Sequence, residues 1–154
     1  MDRLDYALLA LLQEDSRRTA DKLGEALGLS RSAVTRRIQN LTAEGIIARE
    51  VAVLGERFRA GRVAAIINVQ FDRHKPLEAD KFKRAIRAMP EVQLFVLITG
   101  ASDALLLVSV RDMEHFNSFA DQLASMPLVR RYETSFIKRM EKFTTAVPLE
   151  WPAP

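Results

Sequence analysis

The hydrophobic period changes partway along the chain, and that change limits the fold more than any other feature. Up to residue 47 apolar side chains recur at helical spacing: Leu4, Leu8, Leu11 and Leu12, then Leu23, Ala26 and Leu27, then Val34, Ile38 and Leu41. From Val63 onward, strand-like runs alternate with helical ones. A length of 154 residues has room for one domain or two small ones. The change of period places a helical domain over 1–53, a linker over 54–62, a mixed domain over 63–142 and a Pro-bearing tail over 143–154.

Punctuation refines the first part. Thr19 can cap a second helix whose apolar face ends at Leu27, with Gly28 where a left-handed backbone is tolerated. Leu29 fills the turn, and Ser30 caps a third helix running to about Glu44, with Gly45 at its stop. Helix, glycine-containing turn, helix is the helix-turn-helix plan. Weak alternation from Ile46 to Val53 predicts a short strand pair, making the domain a winged helix-turn-helix. Gly55, Gly61 and the arginines between and beside them predict a solvated hinge.

The second part predicts strand (Arg62–Phe71), helix (Glu78–Met89), strand (Glu91–Thr99), strand (Ala104–Val110), helix (Asp112–Met126) and strand (Leu128–Met140). Pro76, Pro90 and Pro127 fall at the boundaries, where a missing N–H does least harm. The βαββαβ order is that of the ferredoxin-like sandwich, two helices on one face of a four-stranded antiparallel sheet. The fold class is therefore α+β. Val63, Ala65, Ile67 and Val69 alternate with Ala64, Ile66 and Asn68, so the first strand is apolar on both sides. The open sheet face is expected to be buried against another subunit.

Much chemistry is excluded by what is missing. There is no cysteine, which removes disulfides, thiolate metal sites and cysteine nucleophiles and is compatible with a reducing cytoplasm. His74 and His115 are in no metal-ligand spacing and are expected at the surface. Gly55 and Gly61 lie too far apart for a phosphate loop. Glu14-Asp15 and Glu78-Asp80 fit solvated helix ends, and Trp151 fits a packing anchor or an incidental residue. The start, Met1-Asp2-Arg3-Leu4-Asp5, lacks the apolar core of a signal peptide. Runs such as Leu94–Ile98 and Ala104–Val108 fall far short of the roughly 20 apolar residues a spanning helix needs. The expectation is a cytoplasmic protein that is not an enzyme and has no cofactor, metal or membrane partner.

The third helix carries the functional signal. At 100° per residue, Val34, Ile38 and Leu41 form one stripe and Ser32, Thr35, Arg36, Gln39, Asn40 and Ala43 the opposite one. Arg36 suits guanine, and Gln39 or Asn40 suits adenine. Arg31 and Arg37 flank the stripe, where side chains reach phosphates; Arg17, Arg18 and Arg49 extend that track. Any solvated helix face carries such residues. The conjunction with Gly28, Ser30 and a face free of acids points to double-stranded DNA.

Longer stretches then resemble the Lrp/AsnC family of leucine- and asparagine-responsive regulators over nearly the whole length. Leu4-Asp5 through Leu11-Leu12 and Asp15-Ser16-Arg17 resemble its opening helix. Leu23 through Val34, and Arg37-Ile38-Gln39-Asn40-Leu41 to Gly45-Ile46-Ile47, resemble its turn and recognition helix. Val96 through Leu106, containing Thr99-Gly100-Ala101-Ser102-Asp103, is similar to its effector loop. The resemblance implies a transcription regulator whose C-terminal domains pair into homodimers, assemble further into tetramers or octamers, and bind a small effector, usually an amino acid, between them. By position it implies Leu97, Gly100, Ser102, Asp103, Met113, Ser135 and Phe136 as effector contacts. A glycine admits close backbone approach, and an aspartate beside a tight turn can hold an α-amino group. The bland alternative is a hairpin turn in which Asp103 bonds nearby backbone N–H groups. Ala101 and Ala104 stand where the family often has an acid and an aromatic residue. Two other readings stay open: an enzyme like the sirohaem decarboxylases, which would want histidine and arginine grouped at the start of the sheet domain, where Arg57, Arg59 and Arg62 stand but the nearest histidine, His74, lies beyond the first strand, and an architectural DNA-binding protein that answers to no effector.

Overall fold

The helical period of the first part produces three helices, α1 (Arg3–Glu14), α2 (Ala20–Leu27) and α3 (Arg31–Ala43). Each begins on a side chain that satisfies an otherwise orphaned N–H. Asp2 accepts from the Asp5 N–H in a reciprocal capping box, Thr19 accepts from Lys22 and Ser30 from Ala33. Gly28 ends α2 with φ +67°, a conformation L side chains rarely adopt. These features come from a computed structural model describing residues 1–150.

The chain divides into two compact units, Met1–Val53 together with the segment from Lys142, and Leu54–Glu141. The helical unit buries Leu8, Leu23, Val34 and Leu41, which the periodicity marks, and Leu9, which it does not. Leu149 joins this core from the far end of the chain. Trp151, Pro152 and Pro154 lie outside the described residues. The strand pair expected from Ile46 to Val53 is not formed: the run holds no strand, and Val51 and Val53 are 62% and 74% exposed. Alternation alone is not enough here. The run contains no Gly, Asn, Asp or Pro to reverse it, and an unpaired strand leaves its backbone groups to water. Within the expected hinge a single helical turn forms, α4 (Glu56–Arg59), held by carbonyls of Gly55 and Glu56.

The second unit follows the βαββαβ order: β1 (Val63–Phe71), α5 (Ala79–Ala88), β2 (Val92–Leu97), β3 (Ala104–Val110), α6 (Met113–Ala124) and β4 (Val129–Phe136). All pairings are antiparallel, in the order β2-β3-β1-β4. One sheet face buries Ala65, Ile67, Val69, Leu106 and Val108 against Phe82 and Ile86 of α5 and Phe116, Phe119 and Leu123 of α6. Phe82 sits edge-on to Phe71 and Phe95, with centroids 5.1 and 5.9 Å away. The opposite face alternates as expected and is apolar too. Leu94 and Val96 lie opposite Leu107 and Leu105, which lie opposite Ile66 and Asn68. Leu94 remains 44% exposed.

Candidate functional site

Ser30 starts α3 and Leu41 ends its buried stripe, so the face between is fixed by local chemistry. Val34 and Leu41 are buried; Arg31, Ser32, Thr35, Arg36, Gln39 and Asn40 are exposed. Ser30, Arg31, Ser32, Thr35, Arg36 and Gln39 line one shallow groove of about 500 Å³. Four of these side chains are partly used: Ser30 Oγ caps α3 and shares a hydrogen bond of 3.1 Å with Ser32 Oγ, and two others have partners of their own. Thr35 Oγ1 donates to the Arg31 carbonyl at 3.0 Å, and Arg31 makes an exposed ion pair with Asp21 at 3.5 Å. The side chains of Arg36, Gln39 and Asn40 have no hydrogen-bond or ion-pair partner among the described residues. They form an unengaged strip of donors and acceptors in the order arginine, amide, amide.

Arg37 does something else. Its guanidinium donates to Asp2 at 2.8 Å and Asp5 at 2.7 Å, and its side chain is only 25% exposed. Hydrogen bonds to Asp5 and then Asp2 raise its pKa further, and the Asp5 N–H with the guanidinium behind it holds the Asp2 carboxyl below its usual range. Arg37, expected at the phosphates, here braces α1 against α3. Arg37→Ala is expected to lower the melting temperature of the helical unit while leaving the slope of DNA affinity against salt unchanged. A slope reduced by about one unit would return Arg37 to the phosphates.

Of the remaining basic candidates, Arg17 is almost fully exposed beside Asp15 and Arg18 pairs with Glu14 at 2.7 Å. Gly24 was not singled out by the sequence and controls the turn. An added Cβ there would lie 2.5 Å from the Leu29 carbonyl oxygen, and the Leu29 N–H donates to the Gly24 carbonyl at 2.9 Å. A glycine inside a helix costs roughly 0.5–1 kcal/mol relative to alanine, which is the signal that marks such a close approach.

The second candidate set is split by the sheet. Leu97 ends β2, facing α5 in a groove of about 420 Å³ with Lys83, Arg87 and Phe95. It stands opposite Ala104, next to the turn that holds Gly100 (φ +129°), Ser102 and Asp103. Asp103 Oδ2 accepts the Phe71 N–H at 2.7 Å, where β1 and β4 shift register, and Gln70 Nε2 donates to the Ala101 carbonyl at 3.0 Å. The carboxylate thus already ties the turn to β1. Phe136 pairs with Ala65, four residues from Val69 and so about 13 Å along the strand from that turn. Its ring meets Phe116 edge-on at 4.9 Å, while Ser135 lies on the other sheet face. Met113 opens α6 after β3, also away from the turn, and is 47% exposed. One chain does not bring the seven residues together.

His115 Nε2 lies 2.9 Å from Glu91, and among the described residues no group of three His, Asp or Glu side chains is placed to hold an ion. No helix among them is long and apolar enough to cross a membrane.

Comparisons with known proteins match both parts of the chain. Residues 1–42 match the AsnC-type helix-turn-helix domain and residues 64–147 the Lrp/AsnC ligand binding domain. The chain is 31% identical to the HTH-type transcriptional regulator y4tD of Sinorhizobium fredii, over 97% of this chain and 89% of that one. It is 30% identical to the DNA-binding transcriptional activator DecR of Escherichia coli, over 97% and 99%. Among solved structures, the L-Met complex of transcriptional regulator NMB0573 from Neisseria meningitidis superposes with TM-score 0.88 at 33% identity, covering 97% of each chain. An AsnC family regulator from Agrobacterium tumefaciens gives TM-score 0.88 at 32% identity, again over 97% of each.

Proposed function

Because the chain belongs to the Lrp/AsnC family of DNA-binding transcriptional regulators, we propose that it reads DNA with Arg36, Gln39 and Asn40 of α3 and answers to an amino acid bound between copies of its sheet unit. The unengaged strip on α3 carries the first half of this reading. Bidentate donors and amides of that reach distinguish base edges in the major groove, and Arg31 at the rim supplies phosphate affinity.

The split candidate set supports the second half. A pocket that uses both the Gly100–Asp103 turn and the Met113, Ser135 and Phe136 group has to draw on two chains, since within one they lie at separate ends of the sheet. The apolar sheet face around Leu94, Val96, Leu105 and Leu107 is the surface we assign to the dimer, with larger rings built on it. An effector then acts by its different affinity for different assemblies. The relative from Neisseria meningitidis was crystallised with L-Met, so L-methionine heads the candidates.

The test is melting of the protein against the twenty amino acids, where a ligand at 100 times its Kd adds about 2.7 kcal/mol. Asp103 separates fold from binding. Asp103→Ala leaves the half-buried Phe71 N–H without its acceptor, at a cost of about 1–3 kcal/mol, and should remove the ligand shift too. Asp103→Asn keeps an acceptor oxygen but not the charge, so the expected result is a near-normal melting temperature without the ligand shift. A shift that survives Asp103→Asn would show that the carboxylate only ties the turn, and the absence of any shift with all twenty would reject an amino-acid effector.

A further inference from the structure

At the exposed end of α1, Gln13 grips the chain 134 residues further on. Its Nε2 donates to the Val147 carbonyl at 3.1 Å, and its Oε1 accepts the Val147 N–H at 2.8 Å. In an extended residue the N–H and C=O lie on one edge, and a primary amide offers the matching acceptor and donor side by side. The partner segment is prepared for this by its own sequence. Pro148 restricts Val147 to the extended region, and Thr144 Oγ1 accepts the Ala146 N–H at 3.0 Å just before it. Leu149, two residues on, packs into the α1–α3 core.

We propose that this end of α1 is a docking surface for an extended peptide, and that its occupant is the chain's own segment 142–150. The docked segment completes the core of the DNA-binding unit, and DNA affinity depends on its being in place. A core built on Leu8, Leu9, Leu23, Val34 and Leu41 is small, so an added leucine matters. The consequence is topological. The sheet unit is joined to the DNA-binding unit from both of its ends, through the stretch containing α4 before β1 and through residues 137–147 after β4. The second connection ends on α1, which holds α3 through Asp2, Asp5 and Arg37. A displacement of β4 therefore has a covalent route to the helix that meets DNA. That route rests on the DNA-binding reading above, whereas the dock itself does not.

Two full-length variants empty the dock from opposite sides. Gln13→Ala removes the amide, and Val147→Pro removes the N–H while keeping the extended backbone. Amide hydrogen exchange, which needs no DNA, is expected to show a protected Val147 amide in the parent chain, several-fold faster exchange there in Gln13→Ala, and faster exchange along α1 in both. Affinity for a duplex selected by the parent chain from a random pool should fall several-fold in each variant, and in the double variant no further than in Gln13→Ala, which already removes both hydrogen bonds. An unprotected Val147 amide in the parent chain would overturn the dock. Released exchange with unchanged DNA affinity would overturn its control of DNA binding, and additive losses would show that the two residues act separately.

Discussion

Gly24→Val is expected to abolish DNA binding and melt the helical unit at ordinary temperature while the sheet unit stays folded. The added Cβ falls 2.5 Å from the Leu29 carbonyl oxygen, and a backbone atom cannot rotate aside as a side-chain end can. Either α2 moves away from the turn or the turn opens. Opening it breaks the bond from the Leu29 N–H to the Gly24 carbonyl and displaces Ser30, the cap of α3. Overpacking of this kind costs about 1–3 kcal/mol or more, and valine's branching adds a helix penalty. At roughly 0.05–0.15 kcal/mol per residue a unit of this size holds only several kcal/mol, so one substitution consumes much of it. Circular dichroism should lose helical signal in a separate early transition. Gly24→Ala places the same Cβ without the branches and should be milder. Unchanged melting and DNA affinity in Gly24→Val would mean that the turn tolerates a side chain there and that its close approach is not required.

Where local chemistry decides, the sequence was sufficient. Thr19, Gly28 and Ser30 cap the helices they were expected to cap, because each bond spans only a few residues. The βαββαβ order was legible for a similar reason: period and proline positions are local signals. Arg37 shows where such signals end. A helical projection puts it at the edge of the exposed stripe, but its direction is settled by Asp2 and Asp5 on another helix. Asp2 itself caps α1, a role that the reading of the opening turn did not assign. The strand pair over Ile46–Val53 was inferred from alternation, and alternation without a reversing turn does not make a hairpin. Register was out of reach for the opposite reason. Nothing near Phe136 in sequence says that it faces Ala65 rather than Val69, so only the folded sheet separates Met113, Ser135 and Phe136 from the Asp103 turn. Its prolines mark the segment around Pro148 only as a tail, although the same Pro148 prepares Val147 for Gln13.

Arg36→Ala should weaken binding to the selected duplex by about 1–3 kcal/mol, roughly five- to 150-fold, and relax the preference at one base position. Its side chain is exposed and has no partner among the described residues, so the melting temperature should not move. That separation makes the result diagnostic: Gly24→Val loses binding by losing the fold, and Arg36→Ala loses it with the fold intact. Arg31 provides the internal control. Set at the rim and loosely paired with Asp21, it is expected to act on phosphates, so Arg31→Ala should weaken all sequences alike and reduce the salt slope by about one unit. Arg36→Lys keeps the charge but loses the planar fork, and should resemble Arg36→Ala in specificity while retaining more of the nonspecific affinity. If Arg36→Lys instead bound every sequence as the parent does, Arg36 would be one more phosphate contact. The choice of base would then fall to Gln39 and Asn40, whose substitutions should carry the specificity loss.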